Sequence, residues 1–197
     1  MAIHLKSPAE IELMRESCRI VSDVIKLVST QIKPGVSAAH LDKLAEDYIR
    51  SCNAVPAFKG YGSDPKNLFP ATLCISIDSE VVHGIPGKRI LREGEIVSID
   101  VGAKKNGFYG DGAFTFAVGE VSGEKKRLMR VTKESLDRAV EKAVDGNRIG
   151  DIAHAVQSYV EAEGFSIVRD LVGHAVGREL HEDPQVPNYG KAGKGTV

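Results

Sequence analysis

The chain has 197 residues, 42% of them hydrophobic, which is enough apolar material to bury the core of one large domain or two small ones. Its 26 lysines and arginines nearly cancel 27 aspartates and glutamates, so no strong field points to nucleic acid or an acidic membrane as the main partner. No basic and apolar leader opens the chain and no apolar run reaches membrane-spanning length, so a soluble, cytoplasmic protein is expected. Cys18, Cys52 and Cys74 are widely spaced and odd in number; they are expected as small buried hydrophobes, not as a disulfide framework or a zinc-thiolate site.

Ser7-Pro8-Ala9-Glu10 has the form of a capping box with proline at the first helical position. Ile11, Met14, Cys18, Val21, Ile25 and Val28 follow at helical spacing, and Pro34-Gly35 closes this helix. Ser37 can cap a second helix with the stripe Leu41, Leu44, Ala45, Tyr48 and Ile49. A Pro/Gly/Asn/Asp-rich loop spans Pro56 to Pro70. Strand-like segments come next at Leu73 to Ile77, Val81-Val82, Glu95 to Val101 and Phe108 to Val118, the last two joined as a hairpin through Lys104 to Gly107. Helices are predicted at Glu124 to Val144, with Leu128, Val131, Leu136, Ala139, Val140 and Ala143 as its stripe, and at Ile149 to Glu163, stopped by Gly164. A further strand-like stretch, Ser166 to Val172, leads into Gly173-His174. The Gly-Lys-Ala-Gly-Lys-Gly run at 190–195 lacks the GK[ST] ending of a phosphate loop and is expected as a flexible connector.

Gly35 to Ile49 and Gly146 to Val160 echo one another at a constant offset of about 111 residues, a helix, glycine turn and helix occurring twice. Either a structural repeat or a chance likeness of two helix pairs accounts for this. A true repeat places a second hairpin at about 206–229, so the second half reads as unfinished.

Period-two alternation in Glu95 to Val101 puts Val97, Ile99 and Val101 on one face and Ile96, Ser98 and Asp100 on the other. A turn centred on Lys105-Asn106 sets Asp100 opposite Asp111, whereas one centred on Asn106-Gly107 makes them diagonal neighbours on one face. Either way two carboxylates converge, which suits a pair of divalent ions about 3.5–4 Å apart. The alternative is two ordinary exposed aspartates, against which stand the apolar strand around Asp100 and the glycines, Gly110 and Gly112, around Asp111. His174, at the end of an apolar stretch between Gly173 and Gly177, can complete such a site for Mn, Fe, Co or Zn. His83 and His181 each precede a proline-containing turn; taken singly, each histidine is as readily a structural residue. His4, His40 and His154 are expected at the surface.

Phe58-Lys59-Gly60-Tyr61, Phe69-Pro70 to Cys74-Ile75-Ser76, Val81-Val82-His83-Gly84-Ile85-Pro86, Ile99-Asp100-Val101-Gly102, Gly110-Asp111, Gly173-His174, Gly177-Arg178 and His181-Glu182-Asp183-Pro184 together resemble the successive motifs of type I methionine aminopeptidases, in family order. The likeness covers essentially all 197 residues, and it implies one catalytic domain of α/β pita-bread fold, a pseudo-twofold pair of halves on a curved, mostly antiparallel sheet. It implies metal-dependent hydrolysis that removes the initiator methionine from peptides with a small second residue. Two divalent ions (Co, Mn, Fe, Zn or Ni) are implied, with Asp100 chelating one, Asp111 bridging both and His174 ligating the other. His83 is implied beside the substrate amine, and His181 on the carbonyl oxygen as an oxyanion donor. Phe58, Tyr61, Phe69, Leu180 and Cys74 are implied around the methionine side chain. The implied partners are a methionyl peptide and the ribosome exit region, with no nucleic acid and no membrane, for a monomer.

The family's two remaining ligands, both glutamates, lie C-terminal to Val197, so the second metal site is expected to be incomplete in these 197 residues. Gly112 stands where the family usually has threonine, and the Gly62 to Leu68 segment is longer than usual. A catalytically inactive pita-bread domain that binds peptide or protein is the competing expectation; a proline-specific relative is disfavoured by the short segment before Ser7.

Overall fold

The computed structural model describes residues 3–197. Their contacts divide them into two compact units, an N-terminal one of His4–Ser122 with Val176–Leu180, and a C-terminal one of Gly123–Ala175 and His181–Val197 with Ile3. Both mix helices with antiparallel strands.

In the N-terminal unit, α1 (Pro8–Ser29) begins at the predicted capping box: Ser7 accepts the Glu10 amide and the Glu10 carboxylate accepts the Ser7 amide. Helix α2 (Ala38–Ser51) starts at Ser37, whose hydroxyl oxygen accepts the His40 amide. Strands β1 (Val55–Pro56), β2 (Leu73–Ile77), β3 (Ile96–Lys105) and β4 (Phe108–Ala117) form one antiparallel sheet in which β3 pairs with the other three. Asn106 and Gly107 make the β3–β4 turn with φ of 52° and 83°, the paired left-handed geometry that two-residue hairpins favour.

The period-two rule then decides what each face of β3 does. Val97, Ile99, Val101 and Ala103 are wholly buried against Ile20, Val21, Val24 and Val28 of α1 and Leu41, Ala45 and Ile49 of α2. Each fully buried aliphatic side chain contributes about 1.5–3 kcal/mol by leaving water. Helix α1 sits closest at Gly110, where a Cβ would lie 2.6 Å from the Ser17 carbonyl carbon, and the Ser17 hydroxyl donates to the Phe108 carbonyl at 2.9 Å. This contact rotates the buried stripe from the one expected: Ser17, Ile20 and Val24 are buried, while Ile11 and Cys18 are exposed. A helix resting on bare strand backbone needs a small residue at the contact, and hydrophobic spacing does not rank serine for that place.

The C-terminal unit comprises α3 (Gly123–Lys142), α4 (Ile149–Ala162), and the hairpin of β5 (Val172–Ala175) and β6 (Glu182–Pro187). On α3 only Val131 and Ala139 of the expected stripe are buried, joined by Ser135; Leu128, Leu136 and Val140 are exposed. Residues 166–171 form no strand, nor do Val81-Val82, which lie exposed in a loop. Strands β1 and β6 were not expected, because Pro56, Pro184 and Pro187 read as turn residues.

The internal echo is borne out in hydrogen bonds. Gly35 and Gly146 both take positive φ, 91° and 85°. The amides of Ala38 and Ala39 donate to the carbonyls of Arg89 and Gly87, and those of Ile149 and Gly150 to the carbonyls of Thr196 and Lys194. At the other helix ends, Ala54 donates to Ile49 and Phe165 to Val160. The glycine-rich run at 190–195 is therefore a helix cap and not a loose connector: Asp151 also accepts the Gly193 amide at 2.7 Å, and carbonyls occupy the amides a phosphate would need.

Candidate functional site

The second of the two alternative hairpin registers is the one formed. Asp111 pairs with Gly102 and Asp100 with Ala113, so the two carboxylates are diagonal neighbours on the sheet face opposite the helices. The glycines that flank Asp111 serve that arrangement from behind: α1 packs flat over Gly110, and a Cβ on Gly112 would stand 3.3 Å from a Val21 methyl. The open backbone at Asp111 thus admits a helix on the reverse face, where the sequence suggested only a close approach of some kind.

Burial first, and the Asp111 charge second, push the Asp100 carboxyl up to about 7. Two acids held this way repel when both ionise, and a divalent cation with oxygen preference is the species that relieves it. The donor set therefore fits a metal. For the metal-free protein the sign follows from linkage: a carboxyl raised in the folded state favours folding below its ordinary range, and that contribution is lost as pH rises through about 7. Thermal melts of metal-free protein should show the midpoint falling between about pH 4 and 7, and Asp100→Asn should flatten that slope.

Beside the acids, Phe58, Cys74 and Leu180 form a buried apolar cluster, packed by Phe69, Ala57 and Tyr109. Of the five predicted pocket residues four meet there; Tyr61 does not join them and is exposed. Cys74 pairs directly with Asp100 across β2 and β3. Burial, then the charges of Asp100, Asp111 and Asp42, pushes its thiol up to about 12, so the sulfur is a neutral, polarizable wall and not a nucleophile. Tyr109 and Ala57 were missed by sequence reasoning, although Tyr109 lies two residues before Asp111 on one strand face and period-two counting finds it. Helix α2 steadies both sides of the cluster: Asp42 accepts the amides of Thr72 and Leu73 at 2.9 and 2.8 Å, and Glu46 pairs with Lys59 at 2.7 Å.

His83 lies in the same unit, exposed in the loop beside β2, with φ of 60°. Its neighbour Gly84 anchors the loop: Ile75 donates to the Gly84 carbonyl at 2.8 Å, and the Gly84 amide donates to the Ser76 hydroxyl oxygen at 3.1 Å. A Cβ on Gly84 would fall 2.2 Å from the Ile75 carbonyl oxygen. Gly84→Ala is expected to push the loop off β2 and to quicken hydrogen–deuterium exchange at the Ile75 amide, which donates to the Gly84 carbonyl.

In the C-terminal unit, His174 stands on β5 and His181 immediately before β6, their ring centroids 4.2 Å apart. His174 Nδ1 lies 3.0 Å from the Ala175 carbonyl oxygen. A carbonyl only accepts, so this contact is a hydrogen bond when Nδ1 carries a proton. Among the described residues, no three His, Cys, Asp or Glu side chains form a group that could hold a metal ion. His4, His40 and His154 are exposed, as expected.

Residues 12–197 match the Metallopeptidase family M24. A methionine aminopeptidase of Clostridium acetobutylicum is 54% identical over 194 residues, 98% of this chain and 76% of that protein. Methionine aminopeptidase 1 of Bacillus subtilis is 49% identical over 190 residues, 96% of this chain and 75% of its own length. The crystal structure of methionine aminopeptidase from Thermotoga maritima superposes with a TM-score of 0.94 at 45% identity, over 100% of this chain and 77% of that one.

Proposed function

The chain belongs to the metallopeptidase family M24, and from that membership we propose that it is a metal-dependent aminopeptidase which removes the N-terminal methionine from peptides and new proteins whose second residue is small. The observation that carries this is the diagonal carboxylate pair, Asp100 and Asp111, set beside an apolar cluster on one sheet face.

Asp100 and Asp111 would hold divalent cations through carboxylate oxygen, and His174 would add an imidazole nitrogen. When bound, the ions supply an ionised water near neutral pH and polarise the scissile carbonyl. The remaining work falls to the chain's own groups. Phe58, Phe69, Cys74 and Leu180 receive the thioether side chain by apolar and sulfur–aromatic contact, with Tyr61 at the rim. His83 stands by the substrate amine. His181 donates a hydrogen bond to the carbonyl oxygen as negative charge gathers there, the step at which a preorganised donor lowers the barrier. The two units serve one catalytic domain, acting as a monomer in the cytoplasm on chains leaving the ribosome.

The test is cleavage of Met-Ala-Ser by full-length protein stripped with EDTA and then given Co²⁺ or Mn²⁺. Restored release of methionine, with Xaa-Pro dipeptides left intact, is the expected result. No cleavage with any of Co, Mn, Fe, Zn or Ni overturns the proposal.

A further inference from the structure

In the loop that joins β5 to β6, Val176–Leu180 belongs to the N-terminal unit. Its attachment is specific. The Tyr109 amide donates to the Gly177 carbonyl at 2.8 Å, and Gly177 in turn donates to the Glu179 carbonyl at 3.1 Å, which keeps the loop tight. Arg178 lies over the buried Phe108 ring, 4.6 Å from its centroid, and donates to Glu10 at 2.9 Å. Glu10 is itself held in place by the Ser7 capping box, so the guanidinium meets a carboxylate that has little freedom left to lose. Leu180, two residues on, is buried with Phe58 and Cys74.

We propose that Arg178 is a positioning residue: clamped between Phe108 and Glu10, it sets Leu180 into the apolar cluster. The inference rests on the reading that this cluster receives the methionine side chain. Arginine suits the place because one planar group can stack on a ring and donate sideways to a carboxylate at once, which the point charge of lysine does less well. The effect of losing it falls on substrate capture more than on bond cleavage, since Leu180 touches the side chain and not the scissile bond.

Arg178→Ala and Arg178→Lys in the full-length metal-loaded protein test this, read by KM and kcat for Met-Ala-Ser and by hydrogen–deuterium exchange at the Tyr109 amide. Arg178→Ala should raise KM about tenfold with kcat within about twofold of wild type, and Tyr109 exchange should quicken. Arg178→Lys, which keeps the ion pair and loses the stacking, should recover part of the KM effect; it also serves if the alanine variant does not fold. Unchanged KM, or a loss carried by kcat alone, overturns the inference in an active protein. A wild type without activity overturns the functional reading instead, and unchanged Tyr109 exchange in both variants then still overturns the clamp.

Discussion

Asp111→Asn is expected to lower kcat/KM for a methionyl peptide by about three orders of magnitude, roughly 4 kcal/mol of transition-state stabilisation, while the metal-free protein melts at the same temperature or higher. The two halves of that result have one cause. On the proposed function the carboxylate is a cation ligand, and replacing it removes charge from the site where a Lewis acid would be held. Without cations the same carboxylate faces Asp100 diagonally across β3 and β4, and the pair repel in a buried setting that already raises the Asp100 carboxyl to about 7. A residue that mainly supports the fold behaves otherwise, losing activity and stability together. Steady-state kinetics beside calorimetry of the stripped protein reads both.

Gly110→Ala is expected to destabilise the N-terminal unit by about 3 kcal/mol or more and to lower the melting midpoint by roughly 10 °C. The added methyl would sit 2.6 Å from the Ser17 carbonyl carbon and 2.7 Å from the Cys18 nitrogen, both helix backbone. Backbone cannot step aside, so α1 must lift from β4 and the Ser17 bond to the Phe108 carbonyl lengthens with it. Gly112→Ala is the control: its methyl would meet only a Val21 side-chain carbon at 3.3 Å, which can shift, and a cost below about 1.5 kcal/mol is expected. Differential scanning calorimetry of the two variants checks the contrast, and equal costs would show that α1 does not rest on Gly110 as described.

Much of the N-terminal unit could be read from residues alone, because its local and global signals agree. Ser7 and Glu10 cap α1, Ser37 caps α2, and the alternation in β3 separates core-facing Val97, Ile99 and Val101 from Asp100. Spacing alone leaves two registers open, because it cannot say which residues of Lys105-Asn106-Gly107 make the turn. Backbone chirality decides it, since asparagine and glycine tolerate positive φ and lysine does so poorly.

What escaped the sequence was tertiary. Cys18 reads as a core residue and is exposed, because Ser17 takes the place against Gly110. Strand β6 is hidden by Pro184 and Pro187, which are tolerated where a short edge strand needs few donors. The nearness of His174 and His181 depends on the β5–β6 hairpin bringing residues seven apart to one end, and no helical or strand period announces that. The tail at 190–195 has the composition of a loose linker, yet its carbonyls and the Asp151 carboxylate give it a fixed place at the start of α4. Composition reports what a backbone can do, and the partner elements decide what it does.

The central claim is that Asp100, Asp111 and His174 bind divalent cations together. Anomalous diffraction from crystals of the full-length protein grown with Mn²⁺ addresses it directly. The account predicts strong peaks within coordination distance, about 2.0–2.3 Å, of both carboxylates and of His174 Nε2. Peaks elsewhere, or peaks on the carboxylates with the His174 ring turned away, would contradict it.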